Sequence, residues 1–270
     1  MNLALLLNTH ENSPVLEDTL DSIFTYATEN VLILVDGLAW DQFKSFNGRA
    51  NLMCGFRHGI PKSPYRNVAL GLKMLSEKYP DADWYCYCEY DVLFTSDRFK
   101  KNLKIADEMG VWMLGSDGHV DDKDMPLIES VLGGKLKSSY YLLGCCQFFS
   151  KEFMQKLLEI DIFDKLLNIT NQFTEGQFPG YKGYDLSEHL YPSLCRHFGG
   201  NIGVFSSYDE MGRWHGHYRC FPIRWRPEID FETENYEEAS ILHPVKKISH
   251  PLRIYHKQLR QKMAERQESV

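Results

Sequence analysis

The stretch LALLLNTHENSPVLEDTLDSIFTYATENVLILVDG, residues 3–37, contains two short apolar runs joined by a helical pattern. Leu3–Leu7 and Val31–Val35 are continuously apolar rather than alternating, as expected of strands covered on both faces in a parallel sheet. The first run breaks at Asn8-Thr9-His10-Glu11, and Pro14 suits the first turn of a helix. Leu16, Leu20, Ile23, Phe24 and Ala27 then recur at helical spacing. These residues form one βαβ unit, a connection that is right-handed in nearly all proteins.

The alternation continues along the chain. Strands are expected over 52–56, 84–94, 111–114 and 140–149, and helices over 65–78 and 151–160. A further helix begins near Asp185 and ends by Gly199-Gly200, after the Gly/Pro-rich loop 176–183. Segment 117–124 reads as a polar loop. With no internal repeat, low-complexity tract or linker, the simplest partition is one α/β domain over 1–250 and a basic helical tail over 251–270.

Bulk composition excludes some classes. At 270 residues the chain can bury a full core. Its net charge of −7 argues against a general nucleic-acid binder, because phosphate contacts need concentrated Lys and Arg. The seven cysteines are an odd number with no CxxC pair and lie in apolar runs, so they are expected to be reduced and buried. The first apolar run is only five residues long with no basic segment before it, too short for a signal peptide or membrane span. A cytoplasmic protein is therefore expected. From Lys246 onward there are seven Lys and Arg residues, which could rest on an anionic membrane surface. The thin apolar face, interrupted by Glu265 and Glu268, favours a solvated helix instead.

The chemistry is concentrated in Tyr87-Cys88-Glu89-Tyr90-Asp91-Val92-Leu93-Phe94. Read as one strand, its alternation sends Glu89 and Asp91 to the same side among apolar flanks. Two carboxylates so placed repel unless a cation or proton lies between them. Hard oxygen ligands suit Mn²⁺ or Mg²⁺, and the plain alternative is a pair of exposed acids at a strand end. Downstream, His243 offers a neutral imidazole, competent for Mn²⁺, and Lys246 offers a point charge for phosphate. Asp185 and Glu188, at a helix start after a flexible loop, are candidate general bases, or simply an N-cap and capping box.

An apolar strand leading into acid-x-acid after a βαβ half resembles the DxD motif of GT-A fold glycosyltransferases, the nucleotide-diphospho-sugar transferase superfamily, with Glu in the first acidic position. The resemblance implies a Rossmann-like, mostly parallel sheet flanked by helices, with a nucleotide-binding half over about 1–115 and an acceptor half over about 116–250. It makes Asp91 a direct metal ligand, while Glu89 reaches the metal through water or contacts the ribose. It places Thr9, His10 and Glu11 around the donor nucleotide, Asp36 on the base, and Arg66-Asn67 pointing at the nucleotide. His243 would complete the site for Mn²⁺ or Mg²⁺, with Lys246 on the diphosphate. Asp185, or else Glu188, would take the acceptor hydroxyl's proton in an inverting transfer, and UDP is favoured over GDP. Gly144-Cys145-Cys146-Gln147 would border donor sugar and acceptor, or be a bulged core strand. His215 and His217 read as an acceptor or lid element rather than metal ligands.

Two other readings compete. A sugar nucleotidyltransferase normally has a Gly-rich first loop with a basic residue, whereas Asn8–Pro14 contains no Gly, Lys or Arg. A catalytically inactive nucleotide- or carbohydrate-binding module would retain donor binding without turnover.

Overall fold

A computed structural model describes residues 1–10, 13–35, 42–43, 46, 48–55, 65–120, 125–171, 186–205, 223, 228–229 and 239–268. Within it the first βαβ unit forms as the pattern dictates: β1 (Leu3–Thr9), α1 (Pro14–Tyr26) and β2 (Val31–Val35). Ser13 caps α1 by accepting from the Leu16 backbone N–H, one of the donors a helix start leaves unsatisfied. β3 (Asn51–Cys54), α2 (Tyr65–Lys78) and β4 (Trp84–Glu89) follow. β5 (Leu93–Phe94), α3 (Phe99–Glu108), β6 (Val111–Gly115), β7 (His119–Val120), α4 (Pro126–Leu132) and β8 (Tyr140–Tyr141) lead to β9 (Gln147–Ser150). The remaining elements are α5 (Lys151–Glu159), α6 (Ile162–Asn171), α7 (Leu186–His197), β10 (Asn201–Val204), β11 (Ile241–Leu242) and α8 (Pro251–Glu268).

The architecture is α/β, with a seven-stranded, mostly parallel sheet in the order β10-β6-β9-β4-β1-β2-β3, flanked by helices. Only β9 runs against its neighbours β4 and β6. Alternate residues of β1 feed two apolar clusters. Ala4 and Leu6 pack with α2, α4, α5, α6 and α7 on one face, while Leu3, Leu5 and Leu7 pack with α1 and α3 on the other. That double burial is why β1 is continuously apolar from Leu3 to Leu7. Among the described residues, no helix is long and apolar enough to cross a membrane.

Several expectations need correction. Segment 84–94 is not one strand: β4 stops at Glu89, a turn intervenes, and β5 leaves to a different sheet. Segment 140–149 likewise splits into β8 and β9, separated by a turn in which Cys146 takes a left-handed φ of 56°. Of 117–124, His119–Val120 pairs antiparallel with Tyr140–Tyr141. Cys54 is exposed, because β3 is an edge strand; the other five described cysteines are buried, and all six are free thiols. The tail is not merely solvated: α8 buries Leu252, Arg253, His256 and Arg260.

One glycine sets the spacing between α2 and the sheet. A Cβ on Gly71 would lie 2.6 Å from both methyl carbons of Leu6, itself fully buried in the central strand. Gly71→Ala is therefore expected to destabilise the fold by about 1–3 kcal/mol through overpacking, despite the better helix propensity of alanine. A denaturant midpoint equal to or above wild type would show that Leu6 repacks freely.

Candidate metal centre

The strand order places a topological switch point between β1 and β4. From β1 the chain winds outward through β2 to β3, then returns to place β4 on the opposite side of β1. Open α/β sheets bind ligands in the crevice outside the carboxyl ends of strands at such a point. Asn8 is in register with Glu89 there, and Thr9 with Val35.

Glu89 is the last residue of β4, and the chain turns through Tyr90 and Asp91, with the Val92 N–H donating to the Glu89 carbonyl at 3.3 Å. β5 then pairs antiparallel with β11, matching Phe94 with Ile241 and Leu93 with Leu242. This two-stranded ribbon delivers His243, immediately after β11, to Asp91. The Val245 N–H donates to the Asp91 carbonyl at 2.9 Å, closing the junction. Glu89 and Asp91 therefore face one site because of a turn rather than because of strand alternation.

Glu89, Asp91 and His243 each offer a ligand atom within 4.8 Å of the others. His243 Nε2 is 3.2 Å from Asp91 Oδ1 and 3.5 Å from Glu89 Oε2. Asp91 and His243 are buried, whereas the Glu89 side chain is 40% exposed and marks the mouth. Asp91 Oδ1 is buried and faces the imidazole without hydrogen-bond geometry. Two unit charges no more than 4.8 Å apart repel by at least roughly 3 kcal/mol at an effective dielectric of about 20, so the pair calls for a positive partner.

The titration shifts reflect that demand. Burial alone would raise the Asp91 carboxyl, but the His243 imidazole and the Lys246 charge outweigh it and hold Asp91 below its ordinary 3.8. Burial alone would lower His243, yet its pKa is raised well above 6.5. The causes are the neighbouring Cys145 sulfur first, then the carboxylates of Asp91 and Glu89; burial pushes the Cys145 thiol itself well above its ordinary value. Protonated, the imidazole would take the electrostatic role of a divalent ion. Two carboxylates and one imidazole, one side open to solvent, suit Mn²⁺ well; Mg²⁺ suits the two oxygens but favours imidazole less.

The structure brings some of the other expected residues to this edge. His10 stands edge-on to Tyr90 with ring centroids 4.9 Å apart, so the loop after β1 adjoins the acidic turn, and Thr9 is buried beside it. Exposed Lys246 follows the His243 segment and acts on Asp91. Arg66 and Asn67 lie in the first turn of α2, where buried Asn67 packs on Gly55 so closely that a Cβ there would sit 2.5 Å from its Oδ1. Glu188, in the first turn of α7, accepts from the Gly144 N–H at 2.9 Å, while its carbonyl accepts from the Leu142 N–H at 2.9 Å. Glu188 therefore holds the 142–146 turn whose Cys145 abuts His243. Glu11, Asp36, Asp185, His215 and His217 lie outside the described residues.

Two features of the site were not expected from sequence: the Cys145 contact with His243 and the buried charges behind the acidic turn. Thr19 Oγ1 lies 2.6 Å from the Tyr90 carbonyl and 2.7 Å from that of Val92, donating to them from α1. Asp18, beside it, pairs with Arg253 and Arg260. No family model matches the chain, and no curated protein sequence matches it.

In metal-free protein, the raised His243 pKa contributes stability that is fully present below pH 6.5 and lost as pH rises through the folded-state value. The thermal midpoint is therefore expected to fall as pH is raised from 6.5, by at least about 2 °C if the contribution is ~1 kcal/mol. Mn²⁺ should restore it by replacing the proton, and His243→Gln should flatten the slope. A flat profile in wild type would show that the imidazole is neutral.

Proposed function

We propose that this chain is a metal-dependent glycosyltransferase of the GT-A type, moving a sugar from a nucleotide-diphosphate sugar to a hydroxyl of a carbohydrate or other acceptor. The observation that carries the reading is the convergence of Glu89, Asp91 and His243 at the carboxyl end of β4, beside the switch point of the sheet. The preference for UDP and for an inverting transfer rests on the resemblance of the sequence motifs.

In this reading Asp91 and His243 are the buried ligands and Glu89, at the mouth, meets the metal through water or the ribose. Mn²⁺ or Mg²⁺ held there would offset the charge that grows on the nucleoside diphosphate as it leaves. Lys246 is placed to contact the same phosphates, and Thr9 and His10 border the nucleotide from the β1 side. Glu188 and Asp185, at the start of α7, are the candidates to accept the acceptor hydroxyl's proton. Glu188 also holds the 142–146 turn through Gly144.

Titration calorimetry with UDP and GDP, in Mn²⁺ and then in EDTA, tests this. Binding is expected only with metal, and Asp91→Ala should weaken it by at least ~100-fold, about 2.7 kcal/mol, with the circular dichroism spectrum unchanged. Equal affinity in EDTA would overturn the metal role, and donor binding without sugar transfer to any acceptor would identify a binding module.

A further inference from the structure

The guanidinium of Arg253, on the first turn of α8, is wholly buried and holds four partners on three segments of chain. Its Nε donates to the Val245 carbonyl at 2.8 Å, and its Nη2 to the Val92 carbonyl at 3.2 Å and to Thr19 Oγ1 at 3.1 Å. Its Nη1 donates to Asp18 Oδ2 at 2.8 Å. Val92 is the residue after Asp91, and Val245 lies two residues beyond His243. One planar, rigid fork thus grips the backbone on both sides of the metal centre, which a flexible ammonium could not do.

Asp18 pairs with Arg253 through one oxygen and with Arg260, two turns further along α8, through the other, one carboxylate between two guanidinium groups. Desolvation disfavours the Arg253 charge, and Asp18 and Asp91 favour it. A buried ion pair is weak evidence for stability, because desolvation offsets the attraction. This one does something a hydrophobic pair could not: it satisfies the carbonyls of two segments that must stay in register for Asp91 Oδ1 and His243 Nε2 to sit 3.2 Å apart.

We infer that Arg253 is a positioning residue for the metal centre, locking the Asp91 turn to the His243 segment so that docking of the C-terminal helix on α1 sets the geometry of the site. The inference rests on the metal reading above for one of its three readouts only. Groups that orient ligands from behind typically change metal affinity 10- to 100-fold when removed.

The test compares Arg253→Lys, which keeps the charge and loses the fork, with Arg260→Lys, which loosens the same helix and the same Asp18 without touching either carbonyl. Thermal midpoint, Mn²⁺ affinity by electron paramagnetic resonance of free Mn²⁺, and the His243 imidazole resonances of metal-free protein are read for both. Arg253→Lys is expected to weaken Mn²⁺ at least about 10-fold and to move the His243 resonances well below its own midpoint. Arg260→Lys should lower the midpoint while leaving affinity and resonances as in wild type. Wild-type affinity with unmoved resonances in Arg253→Lys, however unstable that variant is, would overturn the inference, as would equal effects in the two variants. Should Arg253→Lys fail to fold, Thr19→Val removes one hydroxyl of the same grip and is read by the same outcomes. If wild type binds no Mn²⁺, the metal reading falls, and the His243 resonances decide the positioning role: moved in Arg253→Lys alone supports it, and any other pattern overturns it.

Discussion

The constraint on which the rest of this structure depends is the unfavourable proximity of Glu89 and Asp91. An acidic pair at a solvated strand end would cost little. Here Asp91 is buried next to the β5–β11 ribbon, where a carboxylate is tolerated only next to positive charge. The fold answers from the distant end of the sequence: β11 pairs with β5 so that His243 arrives at 3.2 Å from Asp91. A chain seeking only stability could have used an apolar residue at position 91. Retaining a buried acid and then building a ribbon to neutralise it is the arrangement expected of a site whose charge has a use.

That answer is non-local at every step, which explains the layered support behind it. The turn holding Asp91 has only two residues of regular pairing after it, so its geometry must be fixed from elsewhere. Thr19 from α1 reaches its carbonyls, the Val245 N–H reaches the Asp91 carbonyl, and Arg253 from α8 spans both segments. The acidic turn, the His243 segment and the C-terminal helix are therefore one mechanical unit. Glu188 plays a comparable part on the other side, fixing through Gly144 the turn that sets Cys145 against His243.

What could be read from sequence follows the range of the interactions. β1, β2 and α2 were legible because local apolar pattern decides them: strands covered on both faces are apolar throughout, and α2 shows one face at helical spacing. Segment 84–94 read as a single strand because no Gly or Pro marks its turn, and 140–149 did so although Gly144 lies in its break, because the flanking residues are apolar and aromatic. Tyr90-Asp91 forms a turn and Cys146 a left-handed residue, held by contacts the pattern does not contain. α3 and α4 were not expected from sequence, although Phe99, Leu103 and Ala106 are buried at helical spacing and Pro126 and left-handed Gly133 bound the second helix. Arg253 and Arg260 read as solvated charges on a thin helix because their partner, Asp18, lies in the first helix. No window of local sequence holds both members of that pair.

The position of the site can be argued without the motif resemblance. In a sheet ordered β10-β6-β9-β4-β1-β2-β3, the chain leaves β1 on one side towards β2 and β3 and returns to β4 on the other, so the gap expected at a switch point lies between the exits of β1 and β4. The residues that close that gap are Asn8, Thr9 and His10 from one strand and Glu89, Tyr90 and Asp91 from the other, with His10 and Tyr90 in contact across it. A crevice at a switch point, floored by a buried acid and imidazole and rimmed by a half-exposed acid, is suited to a ligand that brings a divalent ion with its own negative charge. Nucleoside diphosphates meet that description. The proposed nucleotide-sugar ligand thus draws on the topology for its position at this strand edge and on the motif resemblance for its chemical identity.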